Sequence, residues 1–574
     1  MRAVARPPEK REGTMRSRTR MFAGLIALAV ALTGCAGIPR DGGVRAGQTV
    51  QPGATPAPVF LPSRPQKDVT PEAILRGFID AATSPDNDYA IAREFLAPNY
   101  SSSWEPDSGV TIDDATGRSI VSVGEGQMQF SVNPVAEVDE RGEYREVESP
   151  TAVALRYQFV QVGGQWRIGA APNGTVVDRN IFQDVFTAQA LYFFDPGFSY
   201  LVPDLRWYPR SGATLTKIVN GLLDGPSPWF AGAVVTAFPD GTKLTADAVQ
   251  VIARDAKVDL NSEALNADRV TLQRMMAQLS NSLPPGLSAT ITVNRNLQDI
   301  AELSANAPTV NSRVDARALI LREGEFGFLA ASGSSISPIA GLSDSIVALD
   351  PTSVTLSPGQ TAAAVLTGTG VYGVRVGDDP VQLDPRQGLI APAIDNYGFV
   401  WSVPAARPGE LFVYGPNGEA TAVPTPWPEA SAIQSLRVSR DGTRLIALLQ
   451  SGKDSRFVVS AITRDKRTPV VLGDAVLLAA PGGTAVDAAW IDELTVACLT
   501  RLPSGEERIV ALQLGGLTTR LESAPDSVTM VGSNNLRDLR ALSSTGGLLV
   551  QRGAGWQERL GGVALLATQQ GIGG

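Results

Sequence analysis

The stretch Ser439-Arg440-Asp441-Gly442-Thr443-Arg444 is a polar turn that leads directly into the apolar run 445–449 (LIALL). Turns followed by short apolar runs recur through the second half of the chain, where the runs begin at about 362, 398, 445, 494 and 547. Their starts are 36, 47, 49 and 53 residues apart. Degenerate repeats of this length, each containing several short strands, are typical of a β-propeller. The sequence therefore predicts an all-β propeller of five or six blades over 308–574.

The turn at 439–443 resembles the Ser-Pro-Asp-Gly turn that is common in propeller blades. Helical periodicity also ends near Arg313, and from there Gly, Ser, Thr and Val dominate the sequence. Two regions with helices precede this change, and we predict that each is a separate α+β domain, at 69–188 and 189–307. The predicted fold class is thus multidomain, with two α+β domains followed by the propeller.

The second of these domains has the clearest helix. Apolar residues at i, i+3, i+4, i+7 and i+8 give that helix one buried face, and Gly225-Pro226 ends it; these residues are Leu215, Ile218, Val219, Leu222 and Leu223. Strands are predicted at 190–195 and 289–294, a hairpin around Arg254-Asp255, and a second helix through 270–279.

The first domain begins with Thr70, a favourable N-cap, and Pro71, which suits the first position of a helix. A second short helix is predicted at 89–96. The near alternation at 155–161, the turn Gly163-Gly164 and the return at 165–168 predict a β-hairpin. Helices followed by an antiparallel sheet resemble the nuclear transport factor two-like (cystatin-like) α+β fold.

The N-terminal segment has the order of a secretory signal: basic residues at 16–20, an uncharged apolar run at 21–31, and small residues before Cys35. The run is shorter than the ~20 residues of a membrane-spanning helix. Leu32-Thr33-Gly34-Cys35 resembles the lipobox of bacterial lipoproteins. The resemblance implies cleavage after residue 34, an S-diacylglycerol thioether on Cys35, and an N-acyl group such as palmitate. A plain signal peptide with a chance Cys is the alternative, and either Met1 or Met15 is the start.

After the signal, residues 35–68 are rich in Pro and Gly and are predicted to be a linker. The chain from residue 35 onward has 42 basic and 56 acidic residues, a net charge of −14. This charge argues against a nucleic-acid surface, which needs a basic stripe. It also means that acyl chains must supply the membrane affinity, at ~0.8 kcal/mol per buried CH₂.

The absence of His from the sequence excludes Ser–His and Cys–His nucleophiles and any zinc site that uses His. With Cys35 acylated, Cys498 is left without a partner, and its apolar surroundings predict a buried strand position. We therefore assign no catalytic, cofactor-binding or metal-binding residue, and predict that the protein is not an enzyme.

Two motifs each allow a second interpretation. Residues 368–373 match G-x-G-x-x-G, but the dinucleotide motif needs a helix at that point, and the sequence continues as a strand. Six acidic residues between 137 and 148 surround Arg141-Gly142; we predict a solvated hairpin tip there, since a calcium loop needs ligands at regular offsets. Paired carboxylates on a propeller could also serve a glycosidase, although no pair stands out among the 56.

The region 189–307 resembles the GerMN domain through Leu191-Tyr192-Phe193-Phe194, the helix end 222–226 (LLDGP), the turn 239–242 (PDGT) and Val258-Asp259-Leu260. Lipobox, linker, α+β domain, GerMN-like domain and degenerate propeller, in that order, resemble the actinobacterial LpqB lipoprotein family. The resemblance implies a lipid-anchored protein on the outer face of the cytoplasmic membrane. It also implies a partner, the extracytoplasmic part of the sensor histidine kinase MtrB, which acts with the regulator MtrA on cell-wall and division signalling. The alternative is an envelope-glycan-binding protein or a glycan-active surface enzyme.

Overall fold

The computed structural model of the chain describes residues 62–148, 151–303, 307–333 and 335–571. These residues lie in one compact unit that begins at Val59. Two regions of mixed helix and strand come first, and a strand-rich region follows. The fold class that the sequence predicts is therefore confirmed.

The first domain begins with helix α1, where the Thr70 side chain accepts a hydrogen bond from the Ala73 amide, as expected of an N-cap. Its strands form two four-stranded sheets with the orders β2-β3-β6-β7 and β5-β4-β1-β8. Helix α1 buries its apolar face in a cluster that contains the rings of Trp104 and Phe130. The elements are α1 (Pro71–Ala81), α2 (Asp86–Arg93), β1 (Gly109–Asp113), β2 (Ser119–Gly124), β3 (Gln127–Val132), β4 (Pro134–Asp139), β5 (Tyr144–Glu146), β6 (Val153–Val162), β7 (Gln165–Ala170), β8 (Thr175–Asp178) and α3 (Phe182–Val185).

The hairpin predicted around Gly163-Gly164 joins β6 to β7, and both glycines have positive φ, which a Gly-Gly turn accommodates. The second helix lies three residues earlier than predicted at each end. Its first turn departs from a regular helix, because Asn87, Asp88 and Tyr89 adopt left-handed backbone angles.

The second domain pairs two long strands and places two helices beside a four-stranded sheet of order β11-β12-β13-β14. Ile218, Val219 and Leu222 of the first helix are at most 1% exposed, which confirms the predicted apolar face. The hairpin predicted around Arg254-Asp255 turns at Ala253-Arg254, both with positive φ. The elements are β9 (Phe186–Phe194), β10 (Leu201–Pro209), α4 (Thr214–Leu223), β11 (Gln250–Ile252), β12 (Asp255–Leu260), α5 (Arg269–Ser282), β13 (Ser288–Val293) and β14 (Asn296–Leu297).

The C-terminal region consists of consecutive antiparallel sheets, each built mainly from strands that follow one another in the sequence. The elements of the first half are β15 (Leu319–Arg322), β16 (Glu325–Leu329), β17 (Ile336–Pro338), α6 (Ser343–Val347), β18 (Ser353–Leu356), β19 (Ala362–Thr367), β20 (Gly370–Arg375), β21 (Val381–Asp384), β22 (Ala393–Ile394), β23 (Val400–Ser402), β24 (Phe412–Tyr414) and β25 (Ala420–Ala422). Those of the second half are β26 (Ala432–Val438), β27 (Arg444–Ser451), β28 (Asp454–Asp465), β29 (Thr468–Leu472), β30 (Val476–Ala479), β31 (Thr484–Trp490), β32 (Thr495–Arg501), β33 (Glu507–Gln513), β34 (Thr518–Leu521), β35 (Ser527–Val531), β36 (Arg540–Ser543), β37 (Leu548–Arg552), β38 (Gly555–Leu560), β39 (Val563–Leu566) and β40 (Thr568–Gln569).

These strands form six blades among the described residues, which agrees with the predicted five or six. Five blades begin at β18, β22, β26, β31 and β35. The remaining blade joins the two ends of the region, because β39 pairs with β15 beside β16 and β17. The following strand, β40, then pairs in parallel with β18 of the next blade. Radial repetition of blades leaves only short, protected strand edges.

The apolar runs beginning at 362, 398, 445 and 494 coincide with the second strands β19, β23, β27 and β32 of their blades. The run at 547 belongs instead to β37, the third strand of its blade, so treating it as an equivalent repeat was wrong. The second strand there is β36, whose short segment Arg540-Ala541-Leu542-Ser543 lacks a long apolar run. Because the run at 547 lies one strand later in its blade than the other runs do, the last spacing of 53 residues is longer than the true repeat.

Candidate functional site

Four charged side chains lie where the second domain meets the propeller, three of them buried and Glu493 half-buried, and we call them the interface cluster: Arg440, Asp441, Arg444 and Glu493. Three come from the turn between β26 and β27 and the start of β27, and Glu493 comes from the turn between β31 and β32. Asp441 accepts hydrogen bonds from Arg444 Nη2 at 2.7 Å and from the Thr443 amide at 2.9 Å. The polar turn that defines the repeat is therefore an internal contact and lies away from solvent.

The interface cluster holds the second domain through side chains and backbone groups on both sides. Tyr192 of β9 donates a hydrogen bond to Glu493 Oε1 at 2.8 Å. The amide of Asn311 donates to Glu493 Oε2 at 2.9 Å. Arg444 donates from Nη1 to the Pro203 carbonyl of β10 at 3.3 Å and from Nη2 to the Glu493 carbonyl at 3.0 Å. Each contact joins residues that are far apart in the sequence, so the second domain can dock on the propeller in this way only once both have folded.

Arg440 ties the segment between the second domain and the propeller to two blades. Its guanidinium donates to the Ser312 carbonyl at 2.8 Å, to the Ile491 carbonyl at 3.0 Å and to the Ser533 carbonyl. A guanidinium offers five N–H donors in a fixed plane, which suits three separate acceptors. Replacing Arg440 would leave buried carbonyl groups without partners.

Burial and pairing shift the pKa values within this cluster. Burial lowers the pKa of Arg440 to about 10, so its side chain remains protonated near neutral pH. Burial alone would raise the pKa of Asp441, but Arg444 and the Thr443 hydrogen bonds outweigh it and the pKa is lowered. Burial raises the pKa of Glu493 despite the hydrogen bond from Tyr192 and the charge of Arg444. Asp441 and Glu493 therefore make the stability of the protein depend on pH in opposite directions.

Two further hydrogen bonds connect the second domain to the propeller. Tyr397, in the turn between β22 and β23, donates to Asp195 Oδ2 at 3.1 Å. The indole of Trp207 donates to the Gly515 carbonyl, between β33 and β34, at 3.0 Å. Contacts on three different blades fix both the position and the rotation of the second domain on the propeller.

Five of the six acidic residues in the hairpin at 137–148 are exposed, as predicted for a solvated tip, but Gly142 and Glu143 are buried against the second domain. Glu143 is 7% exposed, and Gly142 lies against the backbone of Trp207, whose amide donates to the Gly142 carbonyl at 2.8 Å. A Cβ at Gly142 would lie 2.8 Å from the Trp207 oxygen, which explains why glycine is needed here. Arg141 reaches the carbonyls of Gly225 and Pro226 at the end of α4, at 3.3 and 3.1 Å.

A buried carboxylate, Asp487, joins three blades of the propeller. Its Oδ1 accepts from Ser435 Oγ at 2.7 Å and Arg437 Nη2 at 3.0 Å. Its Oδ2 accepts from Thr529 Oγ1 at 2.5 Å and the Met530 amide at 3.1 Å. Both oxygens are used by partners on β26 and β35, which assigns Asp487 a structural role.

The described part of the chain contains no group of three or more Cys, Asp or Glu residues placed to hold a metal ion. Residues 368–373 lie at the hairpin between β19 and β20 and continue as strand, where the dinucleotide motif would require a helix. Cys498 is fully buried in a core cluster of β32, and burial raises the pKa of its thiol to about 12. A protonated, inaccessible thiol is a poor nucleophile.

Comparison with known families gives three matches in the same order along the chain. Residues 64–183 match the family described as "Lipoprotein LpqB, N-terminal domain". Residues 190–294 match "Sporulation and spore germination", and residues 327–565 match "Lipoprotein LpqB beta-propeller domain". The two LpqB matches together cover more than half of the chain. None of the three descriptions names an enzyme activity.

Whole-length relatives agree. "Lipoprotein LpqB" of Rhodococcus jostii (strain RHA1) is 25% identical over 544 residues, which are 91% of this chain and 86% of that protein. The protein of the same name from Streptomyces avermitilis is 24% identical, covering 95% of this chain and 97% of its own length. The chain belongs to the LpqB lipoprotein family. A shorter match, to the Mycobacterium paratuberculosis protein, is 32% identical over 38% of this chain and 37% of that one.

Similar solved structures include a chain of a nidogen/laminin complex, with a TM-score of 0.32 and 8% identity over 44% of this chain and 97% of that chain. Another is the Dos1 propeller, with a TM-score of 0.27 and 8% identity over 42% of this chain and 70% of that one. The blade count of this LpqB protein comes from its own strand pairing.

As a member of a lipoprotein family, the chain is a membrane-anchored lipoprotein. The predicted lipidation site, Cys35 with Leu32, Thr33 and Gly34, lies outside the residues that the structure describes, and so does most of the linker. From residue 62 onward, in the described ranges, no helix is long and apolar enough to cross a bilayer.

The sequence missed the interface cluster. In the sequence, Arg440 and Arg444 are part of one polar turn, and Glu493 belongs to no motif. One feature of the sequence could have indicated it. Arg440 and Arg444 flank Asp441 just before the apolar run 445–449, and such paired opposite charges beside an apolar run can indicate a buried ion pair. The residues they contact, Tyr192 and Pro203, lie more than 200 positions away in the sequence, and no pattern there indicates the contact.

Proposed function

We propose that this LpqB lipoprotein modulates a membrane sensor histidine kinase, of the MtrB type that acts with MtrA, by direct contact at the outer face of the cytoplasmic membrane. In this proposal it influences cell-wall and division signalling and turns over no substrate of its own. The observation that carries the proposal is the interface cluster, which joins the second domain to the propeller through Arg444–Pro203 and Tyr192–Glu493. A rigid composite surface suits recognition of another protein.

The use of the buried acids supports contact over catalysis. A general acid or base must be free to exchange a proton with a substrate. Asp441 is held by Arg444 and Thr443, and both oxygens of Asp487 accept hydrogen bonds from neighbouring blades. Glu493 has a raised pKa, but Tyr192 and the Asn311 amide occupy its two oxygens. These carboxylates maintain the architecture.

The proposal also depends on the lipid anchor, which keeps the protein close to the kinase. Cys35 would hold the protein at the membrane, and a coil of 33 linker residues would average roughly 30–35 Å between its ends. Confinement to this layer raises the effective concentration at the external part of the kinase, so a weak interface is sufficient. The proposal therefore needs both the anchor and the docked domains.

Complementation in cells that lack the protein tests this arrangement. An exported soluble version that starts after Cys35 should restore kinase output poorly at native expression and better when overproduced, because tethering mainly supplies concentration. Acyl labelling should be lost in this variant, which serves as the control for the anchor. Full restoration by the unlabelled variant at native levels would contradict the tethered-contact proposal.

A further inference from the structure

One side of the sheet formed by β2, β3, β6 and β7 in the first domain faces solvent. The inner side packs in the core with α1, where Phe130, Tyr157 and Phe159 are at most 6% exposed. Successive side chains of a strand point to opposite sides of a sheet, and the alternate residues of β6 from Ala154 to Val162 are all exposed. We call this solvent-facing side the open face.

The open face has a group of apolar side chains at and near one end. Val121 and Val123 of β2 and Val160 and Val162 of β6 are each 39–49% exposed. The β2–β3 and β6–β7 turns both lie at this end, because β3 begins opposite Gln158 and β6 continues to Val162. Apolar side chains grouped in this way on a surface are typical of an interaction site.

The charge of the open face is opposite to that of its domain. Residues 64–183 include 18 acidic and 10 basic residues, yet the four strands of this sheet contain two arginines and no Asp or Glu. Arg167 lies opposite Val160, and Arg156 lies in register with Val121 across β3, so both arginines are on the open face. Within the described ranges neither guanidinium forms an ion pair with a carboxylate. The open face is thus positive, and its charges are available to an anionic partner.

The chain enters the first domain beside the apolar end of the open face. The Asp68 amide donates to Gln165 Oε1 at 2.7 Å, and the Gln165 amide nitrogen donates to Asp68 Oδ1 at 2.8 Å. Gln165 begins β7 and lies opposite Val162. Residues 36–61 lie between this entry segment and the predicted lipidation site, Cys35, and as a coil they would average roughly 25–30 Å. A tether of that reach, attached at this end of the sheet, brings the open face to the membrane.

We propose that the open face docks on an anionic lipid bilayer, with the four valines in the interface and Arg156 and Arg167 bound to lipid phosphates. A bilayer surface places phosphate groups, which a guanidinium binds well, directly beside an apolar layer. Arginine side chains can keep their charge at the phosphates while their apolar neighbours enter that layer. The tether favours the bilayer over an acidic protein, because the bilayer is always within its reach. Docking would orient the first domain on the membrane, and it does not depend on contact with a kinase.

Fluorescence from the open face of the lipidated full chain tests the proposal. Val162→Cys is labelled with the environment-sensitive dye NBD, and the buried Cys498 stays unlabelled. The protein is placed in vesicles of phosphatidylcholine alone, or of phosphatidylcholine and phosphatidylglycerol in equal parts. We expect a blue shift and quenching by brominated acyl chains, both stronger in the anionic vesicles. Val381→Cys, labelled alike at an exposed propeller position, is the matched control and should show neither effect. An unquenched dye at position 162, or equal quenching in both lipid mixtures, would overturn the proposal.

Arg156→Gln combined with Arg167→Gln tests the two charges in the same labelled protein. The ratio of docked to undocked protein, read from the quenching, should fall about thirtyfold, because each basic residue at an anionic surface contributes about fivefold. The thermal midpoint should not change, since neither arginine is buried in the core. Arg552→Gln combined with Arg559→Gln, at exposed propeller positions, is the matched control and should dock normally. Equal docking of the two double variants would contradict the assigned contacts.

Sedimentation equilibrium of a soluble version that starts after Cys35 tests the other occupant, a second copy of the chain. We expect this version to be a monomer, because the open face is reserved for lipid. A dimer that is lost in the Arg156→Gln, Arg167→Gln variant would assign the open face to a second copy and overturn docking on the bilayer.

Discussion

The hydroxyl of Tyr192 lies 2.8 Å from Oε1 of Glu493, a residue 301 positions further along the chain. This bond joins the first strand of the second domain to a turn of the propeller. Arg444 lies beside it and reaches Pro203 of the neighbouring strand. The charged residues of the propeller turns therefore act as a docking surface for the domain that precedes them.

Arg444→Met should destabilise the protein strongly. The change removes bonds to Pro203 and Glu493 carbonyls and leaves Asp441 buried without its cationic partner, a type of loss that costs about 3–5 kcal/mol. Chemical denaturation followed by tryptophan fluorescence would measure it. Arg456→Met changes the same residue type at a position whose side chain is 44% exposed, and should cost less than about 1 kcal/mol. Equal stability of the two variants would contradict the assigned role of Arg444.

The raised pKa of Glu493 gives a pH-dependent prediction with a definite sign. Its carboxyl binds a proton more readily in the folded state, so the wild type gains stability as pH falls through the folded pKa towards the unfolded value. Glu493→Gln lacks this gain. The unfolding free energy of the wild type, relative to that of Glu493→Gln, should therefore increase as pH falls from about 7 to about 4.5.

The variant Glu506→Gln, at an exposed position in the same blade, controls for the loss of one negative charge. Contributions from carboxyls that do not interact with Glu493 are common to the proteins being compared and cancel in the difference. A difference that is constant with pH would show that Glu493 titrates alike in the folded and unfolded states.

Leu222→Ala should cost about 2–5 kcal/mol, because Leu222 is 0% exposed in the core of the second domain and truncation leaves a cavity. Leu297→Ala is the matched comparison, since that side chain is 68% exposed and should tolerate the change. Both values come from urea unfolding of the full chain. Wild-type stability of Leu222→Ala would show that this helix face does not form the core.

Cys498 should not react with a thiol reagent in the native protein. Its side chain is fully buried and its pKa is raised to about 12, so very little thiolate is present near neutral pH. Labelling should become rapid only above the denaturant midpoint, when measured by mass spectrometry of the peptide that contains Cys498. Fast labelling without denaturant would mean that the blade opens locally.

Local patterns were enough to predict much of the fold. The face of α4, the Gly163-Gly164 hairpin and the second strands of four blades follow from periodicity and turn chemistry, which depend on nearby residues. The blade formed by β15–β17 was hidden because its remaining strand, β39, comes from the far end of the region. Closure of a ring is a long-range property that no short window contains.

The candidate site was harder to predict for the same reason. The hairpin at Arg141-Gly142 has the composition of a solvated tip, and only its approach to Trp207 buries Gly142 and Glu143.

Autophosphorylation of an MtrB-like kinase in lipid vesicles tests the central claim most directly. The kinase is reconstituted with the lipidated protein on its extracytoplasmic side, with a soluble version that starts after Cys35 at the same concentration, or alone. The tethered protein should change the phosphorylation rate, the untethered protein should have a much smaller effect, and Arg444→Met should weaken the tethered response. The same rate with and without the tethered protein would contradict regulation by contact.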